Sequence, residues 1–134
     1  MSKHVTLDQL RARHAWEAVK RILEVNGSVP QDYKREVKRL PVRIHTAGLG
    51  QALGFLYAKS DSTSDAKSLL LKDLAKWLLV EREFAKRPNG VSDRSAILHV
   101  IVDGDAELLR RITAEALMYL QWLGRFTEAE IKQG

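Results

Sequence analysis

The side chains best suited to chemistry are few and scattered. Histidine occurs at His4, His14, His45 and His99, and cysteine does not occur. No histidine lies three or four residues from another, the spacing that would set two imidazoles on one helical face around a metal, and there is no HExxH pattern. Without cysteine there is no thiol nucleophile, thiolate metal site or disulfide, which fits a reducing, cytoplasmic setting. Asp103-Gly104-Asp105 resembles the start of a calcium loop, but Leu108 stands where the loop's glycine is required and no glutamate closes it. It reads better as a turn followed by a helix N-cap. Gly48, Gly50 and Gly54 suggest a dinucleotide loop, yet the spacing is one residue too long and no strand precedes it. Ser68, Ser92 and Ser95 lack a nucleophile elbow. The carboxylate pairs Glu81 with Glu83 and Glu128 with Glu130 are two apart and point to different helical faces. Nothing assembles an active site, so the chain is read as a non-enzyme without cofactor or metal.

Charge is the stronger signal. Lysine and arginine number 22 against 17 acids, a net charge of +5 and a sequence pI near 9.6. Such a balance suits a polyanionic partner, most simply nucleic acid. The excess concentrates in "QDYKREVKRLPVRIH", residues 31–45, where Lys34, Arg35, Lys38, Arg39 and Arg43 outnumber Asp32 and Glu36. Lys34 with Lys38, and Arg35 with Arg39, stack like charges four residues apart at some cost to the helix. Phosphate contact explains that arrangement, and so does an ordinary solvated face. Tyr33 can stack on a base or serve as a packing staple.

The elements that must position these residues are helical. Apolar residues recur every three to four positions and no segment alternates long enough for a strand, which predicts an all-α bundle of about six helices in one domain, residues 1–134. The first helix starts at Thr6, with Gln9 completing a capping box, and ends at Asn26-Gly27. Its predicted inner stripe is Ala12, Ala15, Trp16, Val19, Ile22 and Leu23. A short second helix covers 30–40 and stops at Pro41, which opens a third running to about Lys59. The polar loop "SDSTSD" leads to a fourth helix from about Asp65 to Lys86, with Leu70, Leu74, Trp77, Leu78 and Phe84 near one face. A fifth carries Ile97 to Val102, and the last begins near Asp105. No apolar run reaches the length of a membrane span, so no membrane contact is expected.

The last helix has more apolar residues than one face needs. Leu109, Ile112, Ala116, Leu120 and Leu123 form an inner stripe, leaving Leu117, Met118, Tyr119, Trp122 and Phe126 to be covered by the domain itself or by another subunit. Met118, Tyr119, Trp122 and Phe126 are the interface candidates. In the third helix, Gly50 and Gly54 share one face, where close approach of a helix carrying Trp16, Trp77 or Trp122 would offset their propensity cost.

Taken together, "LPVRIHTAGLGQALGFLYAK" and, about fifty residues on, "TAEALMYLQWLGRFTEAE" resemble the small helical subunit of the Cmr-type (type III-B) CRISPR effector complex. Leu40, Pro41, Gly48, Leu49, Ala52, Leu53, Phe55 and Leu56 carry the first motif. Thr113, Glu115, Ala116, Leu117, Tyr119, Leu120, Trp122, Leu123, Arg125, Phe126 and Ala129 carry the second. Gly124 stands where the family commonly has a basic residue, and Gly54 where alanine is expected. The resemblance implies a non-catalytic subunit stacked in several copies beside the repeated backbone subunit and the large subunit. There it would line the groove where CRISPR RNA pairs with target RNA. On this reading Lys34, Arg35, Lys38, Arg39 and Arg43 are the first candidates for phosphate contact, and Arg13, Lys20, Arg21 and Arg125 the second. Two rivals differ in class: a DNA-binding regulator using a helix-turn-helix around Pro41, and a protein scaffold whose basic face meets an acidic neighbour.

Overall fold

The computed structural model describes residues 4–132. Six α-helices follow in order, with no strand among the described residues: α1 (Leu7–Leu23), α2 (Val29–Ala47), α3 (Leu49–Lys59), α4 (Ala66–Ala75), α5 (Ala96–Asp103) and α6 (Ala106–Glu130). Lys76–Glu81 extends α4 as a π-helical turn. None of these helices is long and apolar enough to cross a membrane.

Helix α1 begins as its sequence predicts. The Thr6 hydroxyl accepts from the Gln9 N–H at 3.0 Å, and the Gln9 side chain accepts from the Thr6 N–H at 2.7 Å. Both exposed N–H groups are thereby satisfied. Ala15, Val19 and Ile22 face the core as expected, joined by Ala18, whereas Trp16 and Leu23 stay 38% and 37% exposed.

The second and third helices divide elsewhere than the sequence suggests. Pro41 lies inside α2, and the break falls at Gly48. The reason is packing. Tyr33, Val37, Leu40 and Ile44 form one buried stripe that continues across the proline, and its burial outweighs the hydrogen bond Pro41 cannot make. Gly48 adopts φ +89, a left-handed value that side chains disfavour, and this turns the chain from α2 into α3. The glycine groove is also corrected. A Cβ on Gly50 would meet Ile101 of α5 at 3.4 Å, but one on Gly54 would touch nothing, and no tryptophan fills the site. Since residues 29–47 are a single helix, the helix-turn-helix around Pro41 does not exist.

Helix α4 also ends early. Its last turn widens, so that the Arg82 N–H bonds to the Trp77 carbonyl at 2.9 Å, and Glu83 then takes φ +51, which stops the helix short of Lys86. Leu70, Leu74, Trp77 and Leu78 are buried as expected. Helix α6, about 37 Å long at 1.5 Å per residue, packs along α1 and α2, and α2 also packs against α3 and α4.

Candidate nucleic-acid interface

Helix α2 is amphipathic in an unusual way, because the buried stripe leaves one outer face that is almost wholly cationic. Arg35, Lys38 and Arg39 are exposed and Lys34 is half-buried. Counting acids in the sequence understates the charge of this face. Glu36 is only 4% exposed and turns inward, where Arg43 Nη1 (3.4 Å) and Lys67 Nζ of α4 (3.6 Å) flank its carboxylate. Of the two acids in the segment, Asp32 alone remains outside, paired with Arg35 at 3.0 Å. Lys38 and Arg39 have no ion-pair or hydrogen-bond partner among the described residues.

Two adjoining depressions flank this face. The first, about 720 Å³, lies along α2 and is lined by Lys34, Arg35, Lys38, Arg39 and Arg43 with Lys132 from beyond α6. The second, about 620 Å³, lies between α2 and α6, and shares Lys34 and Lys38 with the first while adding Arg125. Its walls also include Val37, Pro41, Gly124 and Glu128. Six of the nine cations singled out in the sequence therefore meet at one surface, and Arg125 joins from a different helix.

The other three do not join them. Arg13 lines a separate cleft with Glu17, Glu81 and Arg82. Lys20 pairs with Glu130 at 3.7 Å and lies 4.6 Å over the Trp16 ring, and Arg21 pairs with Asp73 at 3.4 Å. Within the cationic face two side chains also have structural work. Lys34 Nζ donates to the Ile131 carbonyl at 2.8 Å, satisfying an end of α6 that has no intrahelical donor. Arg43 holds Glu36 and lies 4.3 Å over the Phe55 ring. Tyr33 is a core residue and not a base platform: it is fully buried and donates to Asp73 Oδ2 at 2.7 Å.

Among the interface candidates, Tyr119 is corrected. It is fully buried, stacks on Trp77 with centroids 5.4 Å apart, and its hydroxyl lies 2.7 Å from His14 Nδ1. Trp122 and Phe126 are half-buried against α1, where Phe126 meets Trp16 edge-on at 5.1 Å and Trp122 Nε1 donates to Asp8 at 3.0 Å. Met118, 43% exposed, remains an outward-facing candidate.

Sequence reasoning missed a second charged cluster that lies inside the molecule. Glu115 of α6 accepts from Arg11 Nε (2.6 Å) and Nη2 (3.0 Å), from Trp77 Nε1 (3.1 Å) and from Arg82 Nε (3.3 Å). Burial would raise the pKa of this carboxyl, but the hydrogen bonds from Arg11 and Trp77 and the nearby guanidinium charges outweigh it and hold it below the usual range. His14 nearby is driven down to about 4 by burial and by the charges of Lys76 and Arg21. Its Nε2 is buried without a hydrogen-bond partner. The cluster ties α1, α6 and the π turn together, and none of its members faces the cationic surface. Among the described residues no group of acids and histidines could hold a metal ion.

A family model described as CRISPR-associated protein (Cas_Cmr5) matches residues 7–130, from the first residue of α1 to the last of α6. The protein "CRISPR system Cmr subunit Cmr5" of Thermus thermophilus is 30% identical over 132 residues, covering 96% of this chain and 98% of the relative. A crystal structure of a CRISPR-associated Cmr5 family protein from the same organism superposes with a TM-score of 0.76 at 27% identity. The match covers 96% of this chain and all of the other. With a family match spanning all six helices and a fold shared over the same length, the chain belongs to the Cmr5 family, the small subunits of Cmr-type (type III-B) CRISPR systems.

Proposed function

We propose that this chain is a non-catalytic small subunit that stacks along a Cmr-type effector complex, in several copies, beside the repeated backbone subunit and the large subunit. Its α2 face lines the groove holding CRISPR RNA and target RNA. The observation that carries this reading is the pair of uncommitted cations, Lys38, shared by both depressions, and Arg39, lining the first, with Glu36 turned away. Unpaired charges on a concave surface attract phosphates by releasing condensed counterions, without reading sequence. Arg35, Arg125 and Lys132 supplement them, while Lys34 and Arg43 chiefly hold the surface in shape. Arg13 lies in another cleft and takes no part in this contact.

Charge reversal tests the reading. Lys38→Glu with Arg39→Glu removes two phosphate contacts, so the slope of log affinity against log salt for single-stranded RNA should flatten by about 1.4. Affinity should fall at every salt concentration while the unfolding temperature holds. A slope identical to the parent's would favour the scaffold reading, in which the basic face meets an acidic protein neighbour.

A further inference from the structure

A separate surface lies between α4 and the start of α5 and shares no lining residue with the depressions on α2. In α4, Leu69, Lys72, Asp73 and Lys76 recur at i, i+3, i+4 and i+7, so they share one helical face. The chain then widens into the π turn, bends at Glu83 with φ +51, and returns past Arg87 and Asp93 to Ala96. The result is a depression of about 410 Å³, to which Arg21 of α1 also contributes. Val80, 55% exposed, joins it to a further hollow lined by Ala85 and Lys86.

The charges of this depression do not balance. Asp73 answers Arg21, and Asp93 answers Arg87. Lys72 donates to the neutral carbonyl of Thr63 at 2.6 Å, and Lys76 has no hydrogen-bond or ion-pair partner among the described residues. Two positive charges four residues apart are left over, beside the half-buried Leu69 and the exposed Val80. A nucleic-acid strand fits poorly, because no aromatic side chain lines the depression among the described residues and Asp73 and Asp93 repel flanking phosphates. A protein segment carrying carboxylates and an apolar side chain complements both features.

We propose that this depression docks an acidic segment of a different subunit, whose carboxylates pair with Lys72 and Lys76 and whose apolar side chain rests on Leu69 and Val80. A second copy of this chain is the poorer occupant. It carries a net charge of +5, and its acids Asp8, Asp32 and Glu107 already pair within the chain with Arg11, Arg35 and Arg110. The proposal rests on the place in a Cmr-type complex proposed above, but not on the RNA-lining face.

The test treats a Cmr-type complex, assembled from purified subunits with this chain, with a carbodiimide, which joins a lysine amine to a carboxylate only where the two touch. Mass spectrometry should find Lys72 or Lys76 joined to an aspartate or glutamate of a different subunit, and nuclease treatment should leave that link intact. In titrations against the complex assembled without this chain, Lys76→Glu and Val80→Ser should each weaken binding about fivefold or more, as central interface residues do. Lys76→Arg should bind as the parent does, and all three variants should keep the parent's unfolding temperature and RNA salt slope. Links from Lys72 and Lys76 to this chain's own sequence alone, no links at all, or a link abolished by nuclease would each overturn the proposal. So would parental binding by both Lys76→Glu and Val80→Ser. RNA lining by α2 with Lys72 and Lys76 uncoupled would sink this inference alone, whereas intact links in a chain without salt-dependent RNA binding would sink the RNA reading alone. A chain left out of the complex would sink both.

Discussion

Arg11 on α1 and Lys38 on α2 carry the same charge and have opposite surroundings. Arg11 is buried, and Glu115 answers both Nε and Nη2 within 3.0 Å, so its charge is spent inside the fold. Lys38 is exposed, lies in a depression shared by two helices and meets no acid among the described residues. The first arrangement specifies how α1, α6 and the π turn fit together. The second leaves attraction over for something outside. In a basic protein the total charge does not separate these roles, but the partners of each cation do.

The comparison breaks most visibly at its buried end. Glu115→Ala strands the Arg11 guanidinium in the core and leaves Trp77 Nε1 and Arg82 without their acceptor. The expected loss is about 3–5 kcal/mol in urea unfolding. Lys38→Ala should change stability by less than about 0.5 kcal/mol in the same assay. Near-equal losses for the two variants would erase the distinction.

Acid is the next probe of the buried end. With the folded His14 held to about 4 and the unfolded value near 6.5, the unfolded chain binds more protons between those limits. Stability from this group is therefore complete above pH 6.5 and drains away as pH falls toward 4, by about 3 kcal/mol in all. Comparing denaturation of the parent and His14→Asn across that window isolates the term from the carboxylates. The variant's stability should vary less with pH, and parallel curves would refute the assignment.

The smallest effect sharpens the exposed end. A Cβ on Gly124 would meet nothing within 4 Å, and the residue lines the groove beside Arg125. Gly124→Arg should seat another cation there and steepen the RNA salt slope by about 0.7, one phosphate's worth for a single strand. Replacing a helical glycine should also raise stability by about 0.5–1 kcal/mol.

Local features were the legible ones. The Thr6–Gln9 box, the Asp105 cap, whose side chain accepts from the Leu108 N–H at 2.9 Å, and the α6 stripe from Ile112 to Leu123 depend on residues a turn apart, whereas the α1 stripe held only at Ala15, Val19 and Ile22. Pro41 misled because a rule about the residue before proline was set against a longer pattern. The stripe Tyr33, Val37, Leu40, Ile44 already ran through it at helical spacing, and burial of four large side chains decides the outcome. The basic segment was readable as a unit, but not the inward turn of Glu36, which depends on Lys67 from another helix. Lys132 and Arg125 reach the same surface only through the packing of α6 on α2. The buried cluster did leave a trace. Glu115 lies three residues after Ile112 and four before Tyr119, and Arg11 four before Ala15, so both interrupt stripes that are otherwise buried. A lone charge on such a stripe signals a partner, although which partner is a property of the fold.

The claim that α2 presents its unpaired cations to RNA is tested most directly by photocrosslinking an assembled Cmr-type complex containing this chain to bound RNA, and mapping the crosslinked peptides by mass spectrometry. The account predicts adducts within residues 31–43 and around Arg125, with none on the buried segment holding Arg11 and His14. RNA that crosslinks to neighbouring subunits, or to the cleft around Arg13, while leaving 31–43 and Arg125 unmodified would contradict it.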